Sequence, residues 1–268
     1  MDQFEFFGNE YQVKLQQRYY RLWPYLKAHL RLSFAGRAIG LDEPKLDEEE
    51  DIAGLAKELG FLALAFTRAD IMDALRSALE AHGLKVGIWQ HLVSSDKTKA
   101  SCHAVVTSLS LPTRYQIDRI STTTPPHQLN NFQKLMERCG VAPLPGYILR
   151  NQAVPTIAEM IIDPNGEVVA TGVGIFRHNP QGPFGKAVHV GFLATEPGQR
   201  GKGFARLLLA RIILACYEEY AAEGAHTGVR AENIPSQRVC HSCGLQDSGT
   251  YFLGVMYPLG VNQAEFTR

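Results

Sequence analysis

From Ala194 to Leu209 the chain reads Ala-Thr-Glu-Pro-Gly-Gln-Arg-Gly-Lys-Gly-Phe-Ala-Arg-Leu-Leu-Leu. An apolar strand pattern runs into a turn holding Gly198, Gly201 and Gly203, and a helix pattern follows. The first amides of a helix have no partner within it, and the aligned peptide dipoles favour negative charge there. Glycine lets a loop backbone approach a ligand closely. The spacing therefore predicts a phosphate cradle. Two nucleotide loops fail on residue type. The ATP-type loop needs a hydroxyl residue after its lysine, but Gly203 follows Lys202. The dinucleotide fingerprint needs a third glycine where Arg206 stands.

What remains, Arg200-Gly-Lys-Gly-Phe-Ala205, fits the pattern Gln/Arg-x-x-Gly-x-Gly/Ala. Here the sequence resembles the GNAT (GCN5-related N-acetyltransferase) superfamily. The strand pattern His189–Thr195 precedes the loop as that family's fourth strand does. Val229-Arg-Ala-Glu-Asn233 resembles its fifth strand, which often ends in asparagine. Asn233 to Leu245 resembles the helix that follows, down to the closing Gly244-Leu245. The resemblance covers roughly residues 114 to 258. It implies a mixed α/β sheet and acetyl-CoA as co-substrate, with no metal. It also implies that Phe192, Leu193, Ala194 and Thr195 pair with the pantetheine arm. The amides of Arg200, Gly201, Lys202, Gly203, Phe204 and Ala205 would hold the pyrophosphate, and Asn233 and Ser236 would lie beside the pantetheine arm or the thioester.

Acetyl transfer needs a base for the amine proton, a donor for the oxyanion and an acid for the thiolate. The amide near Leu193 suits the second role. His189 is the first candidate base. Strand alternation puts it in phase with Gly191 and Leu193, and an imidazole titrates near neutrality. Glu159 is the second candidate. The family often has a tyrosine seven residues after the asparagine. Cys240 stands there instead and is the candidate acid, with Tyr251 and Tyr257 on the last strand as further donors. Cys240-His-Ser-Cys243 has metal-ligand spacing, but no second such pair supplies the remaining ligands.

Around these residues the pattern alternates. Expected strands are 115–120, 156–163, 167–176, 187–195, 226–232 and 249–258. Expected helices are 126–139, 203–222 and 235–243. Pro164-Asn165-Gly166 predicts a hairpin. Upstream, 10–32 reads as a helix kinked at Pro24, 52–59 and 68–82 as helices, and 61–66, 84–91 and 100–109 as strands. The acidic run Asp47 to Asp51 reads as a solvated helix start. We divide the chain into an N-terminal α/β region, 1–111, and a GNAT-like domain, 112–268. The first either completes the acceptor pocket or acts separately, and its β-α-β texture allows a degenerate second copy of the same fold without its own phosphate loop.

The 268 residues carry 27 basic and 27 acidic side chains and are 45% apolar. Zero net charge disfavours nucleic acid as a partner. No apolar run reaches the roughly 18 residues a membrane span needs. The five cysteines and the start Met-Asp-Gln-Phe-Glu, which lacks a leader pattern, point to reduced thiols and the cytoplasm. The expected acceptor is a small-molecule or peptide amine. A homo-oligomer is compatible with the sequence. A non-catalytic acyl-CoA sensor is the rival to an enzyme.

Overall fold

The computed structural model describes residues 5–257. Pro258, the expected end of the last strand, and Met1 to Phe4 lie outside the described residues. In chain order the elements are α1 (Glu10–Leu26), β1 (Leu32–Phe34), β2 (Ile39–Asp42), α2 (Glu49–Leu59), β3 (Phe61–Arg68), α3 (Ala69–Ala81), β4 (Lys85–Ser94) and α4 (Thr98–Ser108). Then come β5 (Gln116–Arg119), α5 (Pro126–Arg138), α6 (Gly146–Leu149), β6 (Thr156–Ile162), β7 (Val168–Ile175), β8 (Ala187–Thr195), α7 (Phe204–Glu219), β9 (Gly224–Val229), α8 (Ile234–Ser242) and β10 (Leu245–Met256).

Among the described residues ten strands form one mixed sheet, ordered β1-β2-β3-β10-β4-β9-β8-β7-β6-β5. The arrangement contains a repeat. Strands β1 and β2 run antiparallel, β2 and β3 parallel, and β3 and β10 antiparallel. Strands β7, β8, β9 and β4 show the same three relations in the same order. Helices α2 and α7 occupy equivalent connections, as do α3 and α8. The N-terminal region is thus a second, shortened copy of the fold's core. Each half lends its final strand to the other, since β10 lies between β3 and β4. The division at 111/112 falls between α4 and β5, while the sheet runs across it.

The two copies differ at the helix start. Between β2 and α2 the chain has no glycine, and Glu49, Glu50 and Asp51 fill the first turn. The Glu48 carboxylate accepts the Lys45 amide at 3.0 Å and pairs with Arg31 at 2.7 Å. The positive end of that helix is served by its own acids. Only the α7 copy leaves its amides open.

Apolar side chains cover both faces. Helix α7 buries Leu208, Ile212 and Ile213 against one face. Phe132 and Met136 of α5, with Leu59 and Leu75 of the N-terminal helices, fill the other.

Three sequence expectations change. Residues 100–109 form helix α4 rather than a strand. Its buried residues Thr98, Cys102 and Val105 recur at helical spacing, and Cys102 lies against α8, its thiol 3.5 Å from the Cys243 carbonyl. Helix α1 continues through Pro24, which lies in its last turn, and stops at Leu26. Strands β1 and β2, of 3 and 4 residues, were too short to show a period.

Candidate active site

Strand β8 ends at Thr195, a 3-10 turn spans Pro197–Gln199, and α7 begins at Phe204. Gly201 and Gly203 both have φ of +81°, in the left-handed region where a side chain is strained. Gly203 precedes α7 without any side-chain cap, so the helix presents bare amides. A cleft of about 670 Å³ opens over them. Leu193, Ala194, Thr195, Arg200, Gly201, Gly203, Phe204 and Ala205 line it on one side, and Asn233 and Ser236 on the other. Arg200 is tied to the strand end by its Nε, which donates to the Thr195 carbonyl at 3.2 Å. Lys202 lies outside the lining. Its Nζ donates to Gln199 at 2.6 Å and sits 5.6 Å from the Tyr115 ring. Arg206 and Arg238 join Arg200 in the cleft, and no acid lines it. Sequence reasoning passed over both. Arg206 carried a signal, because a cation in a helix's first turn opposes the dipole unless an anion is to sit there.

Strands β8 and β9 pair only over Ala187–His189 and Gly224–His226. Beyond that they part, while each keeps its outer neighbour. A passage of about 140 Å³ fills the gap, bordered by Val190 to Leu193 and Thr227 to Arg230. Asn233, Ser236 and Cys240 border it from α8. Inner strand edges left unpaired can take an extended ligand bearing amides.

The register of β8 slips by one residue, from Thr171↔Ala194 to Val173↔Gly191. Gly191 at φ +150° and Phe192 at φ +52° form this bulge. Alternation is therefore broken. Val188, Val190 and Leu193 pack toward α7. Phe192 packs on the opposite face, and its ring centroid is 5.5 Å from that of His189. The expected phase of His189 with Leu193 fails for this reason.

His189 stands where the passage meets a third cavity, of about 110 Å³, and lines both. Phe192 lines the same two spaces rather than the cleft over the loop. His189 Nδ1 is buried without a hydrogen-bond partner. Burial, then the charge of Arg177 and neighbouring groups, holds this imidazole well below its ordinary value. It is neutral at pH 7 and its lone pair is available.

Behind it runs a hydrogen-bonded chain. Asp42 meets His178 Nδ1 at 2.7 Å, His178 meets His226 at 2.9 Å, His226 meets His91 at 2.9 Å, and His91 meets Thr250 at 2.8 Å. With Asp42 ionised, one proton per ring satisfies the series, and Thr250 donates to His91. Burial pushes His91 down to about 3 and His226 well below the usual range. In the unfolded chain both take protons near pH 6.5, so acidification favours unfolding below that value and has no effect through these groups above it. With His189, which burial likewise holds low, three such imidazoles predict a loss of roughly 4 kcal/mol per pH unit. Thermal melts should be flat near pH 8 to 7 and fall steeply toward pH 5; an unchanged Tm over that range would contradict the neutral chain.

Cys240 is buried and borders the passage. Burial, with Cys243 beside it, pushes its thiol up to about 12. Proton transfer from it to an ordinary thiolate runs uphill, though its S–H can donate a hydrogen bond. Glu159 lies elsewhere, buried at 2.9 Å from Arg211 and 3.1 Å from Arg119. Tyr251 and Tyr257 line none of the three spaces. Among the described residues no group of histidines, cysteines and acids is arranged to hold a metal ion, and no helix is long and apolar enough to cross a membrane.

Comparison with known proteins agrees with this geometry. A GCN5-related N-acetyltransferase from Kribbella flavida superposes with a TM-score of 0.56 at 12% identity, over 83% of this chain and 82% of its own. A GCN5-related N-acetyltransferase-like protein from Streptococcus suis gives 0.53 at 12%, over 92% and 100%. A tandem GNAT protein from the clavulanic acid biosynthesis pathway gives 0.53 at 13%, over 84% and 76%. At such identities the likeness is one of fold. No curated protein matches the chain. The family model described as "Acetyltransferase (GNAT) family" matches residues 126–245. The open helix start, the parted strands and the bulge all lie inside or beside that segment, and by this match residues 126–245 are a domain of the GNAT acetyltransferase family.

Proposed function

We propose that the protein transfers an acetyl group from acetyl-CoA to a primary amine by direct attack within a ternary complex. The observation that carries this is continuity. The amide-lined cleft shares Leu193, Asn233 and Ser236 with the passage, and the passage shares His189, Arg37 and Trp89 with the third cavity. A phosphate-bearing thioester and an amine can therefore approach His189 from opposite ends.

In this reading the bare amides between Arg200 and Ala205 hold the pyrophosphate, and Arg200, Arg206 and Arg238 add charge. The free edges of β8 and β9 grip the pantetheine arm, flanked by Asn233 and Ser236. Asn233 is itself fixed, its Oδ1 accepting the Ser236 amide at 3.2 Å. Phe192 and Leu193 have no ladder partner on β7, which leaves the Leu193 amide as donor to the developing oxyanion. His189 takes the amine proton as the C–N bond forms and the C–S bond breaks. The departing thiolate takes its proton from water, while Cys240 stays protonated and offers its S–H. A cytoplasmic setting belongs to this reading and is supported by five unpaired cysteines.

The test is release of free thiol from acetyl-CoA in the presence of an amine panel. Amine-dependent release is the expected result. Tight acetyl-CoA binding with no release across the panel would overturn catalysis in favour of an acyl-CoA sensor.

A further inference from the structure

The third cavity is built over a sheet face whose side chains are pared back. Register sets Gly40 beside Ala63, Ala63 beside Gly254 and Gly254 beside Gly87, so β2, β3, β10 and β4 carry only small residues along one row. Rings occupy the room this leaves. A Cβ at Gly254 would stand 3.0 Å from the Trp89 indole and 3.1 Å from the Phe61 ring, and one at Gly228 of β9 would stand 3.3 Å from the Phe252 ring. Neither glycine has a positive φ, so what each supplies is space. A strand glycine gives up packing and marks a close approach; here the approaching groups are aromatic rings. Trp89 and Phe252 line the cavity, and Phe192 lines it together with the passage.

Arg37, from the β1–β2 turn, and Arg177, just past β7, are the charged lining residues, and no acid lines the cavity. Arg177 lies over the same row of small residues: a Cβ at Gly40 would stand 2.6 Å from its guanidinium. It is only 5% exposed. One terminal nitrogen donates to Ser33 Oγ at 3.2 Å, and the charge of Asp42 offsets part of what burial takes from its hold on the proton. Its Nε is buried with no hydrogen-bond partner. His189 Nδ1 is a second buried polar atom of this space without one. The cavity therefore offers an acceptor for an amine N–H and a donor for an oxygen, with aromatic surface around them. A buried N–H without an acceptor is costly, so a ligand that brings one is favoured.

We propose that the acceptor is a primary monoamine whose body is one flat ring, laid against Trp89 and Phe252 with an uncharged oxygen toward Arg177 Nε, and that Trp89 and Gly254 set the size of that ring. The inference rests on the acetyl-transfer reading and names its substrate class. Aromatic walls favour an aromatic guest through edge and face contacts. An enclosure of about 110 Å³ is of the order a single small ring needs and excludes a protein segment. The second ammonium of a diamine would meet guanidiniums and no carboxylate. Chemical balance is unchanged: the amine nitrogen gains the acetyl group, its proton passes to His189, and free thiol leaves.

The test follows thiol release by the full chain with benzylamine and phenylethylamine, each bare and with a methoxy group at every ring position. Cyclohexylmethylamine, naphthylmethylamine, diaminobutane and phenylalanine complete the series. The expected result is kcat/KM at least about 10-fold higher for one single-ring amine than for each of those four, and a methoxy advantage at one ring position. Trp89→Ala enlarges the slot and should raise naphthylmethylamine relative to benzylamine by at least about 10-fold. Gly254→Ala pushes the indole into the slot and should move the same ratio the other way. A gain on the larger amine cannot come from a misfolded variant. Arg177→Met should lose the methoxy advantage. Acetyl-CoA affinity, read by calorimetry, should stay intact in Gly254→Ala and Arg177→Met, since neither residue lines the cleft or the passage; this shows that both fold. Equal use of cyclohexylmethylamine and benzylamine, or preference for diaminobutane or phenylalanine, would overturn this inference and leave acetyl transfer standing. So would a size ranking unmoved in Trp89→Ala and Gly254→Ala, or a methoxy advantage that is absent or survives Arg177→Met. Acetyl-CoA binding with no turnover on any amine would overturn the acetyl-transfer reading itself.

Discussion

Gly203→Glu should abolish binding of acetyl-CoA, a loss of at least 100-fold by the electrostatic and steric reasoning that follows. Gly203 sits at φ +81°, directly before the first residue of α7. A side chain there is strained by about 1 kcal/mol or more. Its Cβ would come within 3.1 Å of Leu109, the residue just past α4, a tighter approach than side-chain carbons ordinarily make. The added carboxylate would also stand over the amides that attract the pyrophosphate and reverse the sign of that point. Calorimetry with acetyl-CoA checks the outcome. Unchanged affinity in a folded variant would show that the diphosphate lies elsewhere. Gly198→Ala is the matching control, since a Cβ at Gly198 meets nothing within 4 Å and its φ is not positive. It should bind as the wild type does.

His189→Ala should lower turnover by roughly 100- to 10,000-fold, the usual worth of a positioned base, with acetyl-CoA affinity preserved. The pH profile gives the sharper reading. A solvated imidazole would impose a limb near neutrality. Burial and the nearby Arg177 charge move this one well below that. In the wild type, activity at saturating acceptor should hold as pH falls through 6.5 and decline only on the acid side, as His189 gains a proton. In the variant that acid limb should disappear. A wild-type profile in His189→Ala would remove His189 from the reaction.

Much of the GNAT-like half was legible in the chain. Gly198, Gly201 and Gly203 between a strand and a helix pattern left few readings, and Asn165-Gly166 fixed the hairpin by local turn chemistry. Helix α4 was misread because Val105 and Val106 favour strands in isolation, whereas Cys102 and Val105 meet α8 and α7 through contacts far apart in sequence. The bulge at Gly191–Phe192 was invisible for a related reason: a register slip belongs to two strands together. Arg37 and Arg177 were passed over because each is an ordinary arginine in its local context. Only the sheet order brings the β1–β2 turn, the end of β7 and the middle of β10 around one space. A second copy in the N-terminal half could be suspected from its β-α-β texture, but the exchange of final strands between the halves could not, since it belongs to the assembled sheet.

The placement of β10 bears on how the molecule is made. This strand leaves the ribosome after every other element described above, yet it belongs in the middle of the sheet, between two neighbours synthesised long before. Until it arrives, β3 and β4 have a missing centre and an apolar surface without cover. Neither half can reach its final form while the nascent chain is incomplete, and contacts of such large sequence separation close slowly. Severing the chain after α4 should therefore yield two pieces that aggregate when expressed singly and recover a native sheet only when produced together.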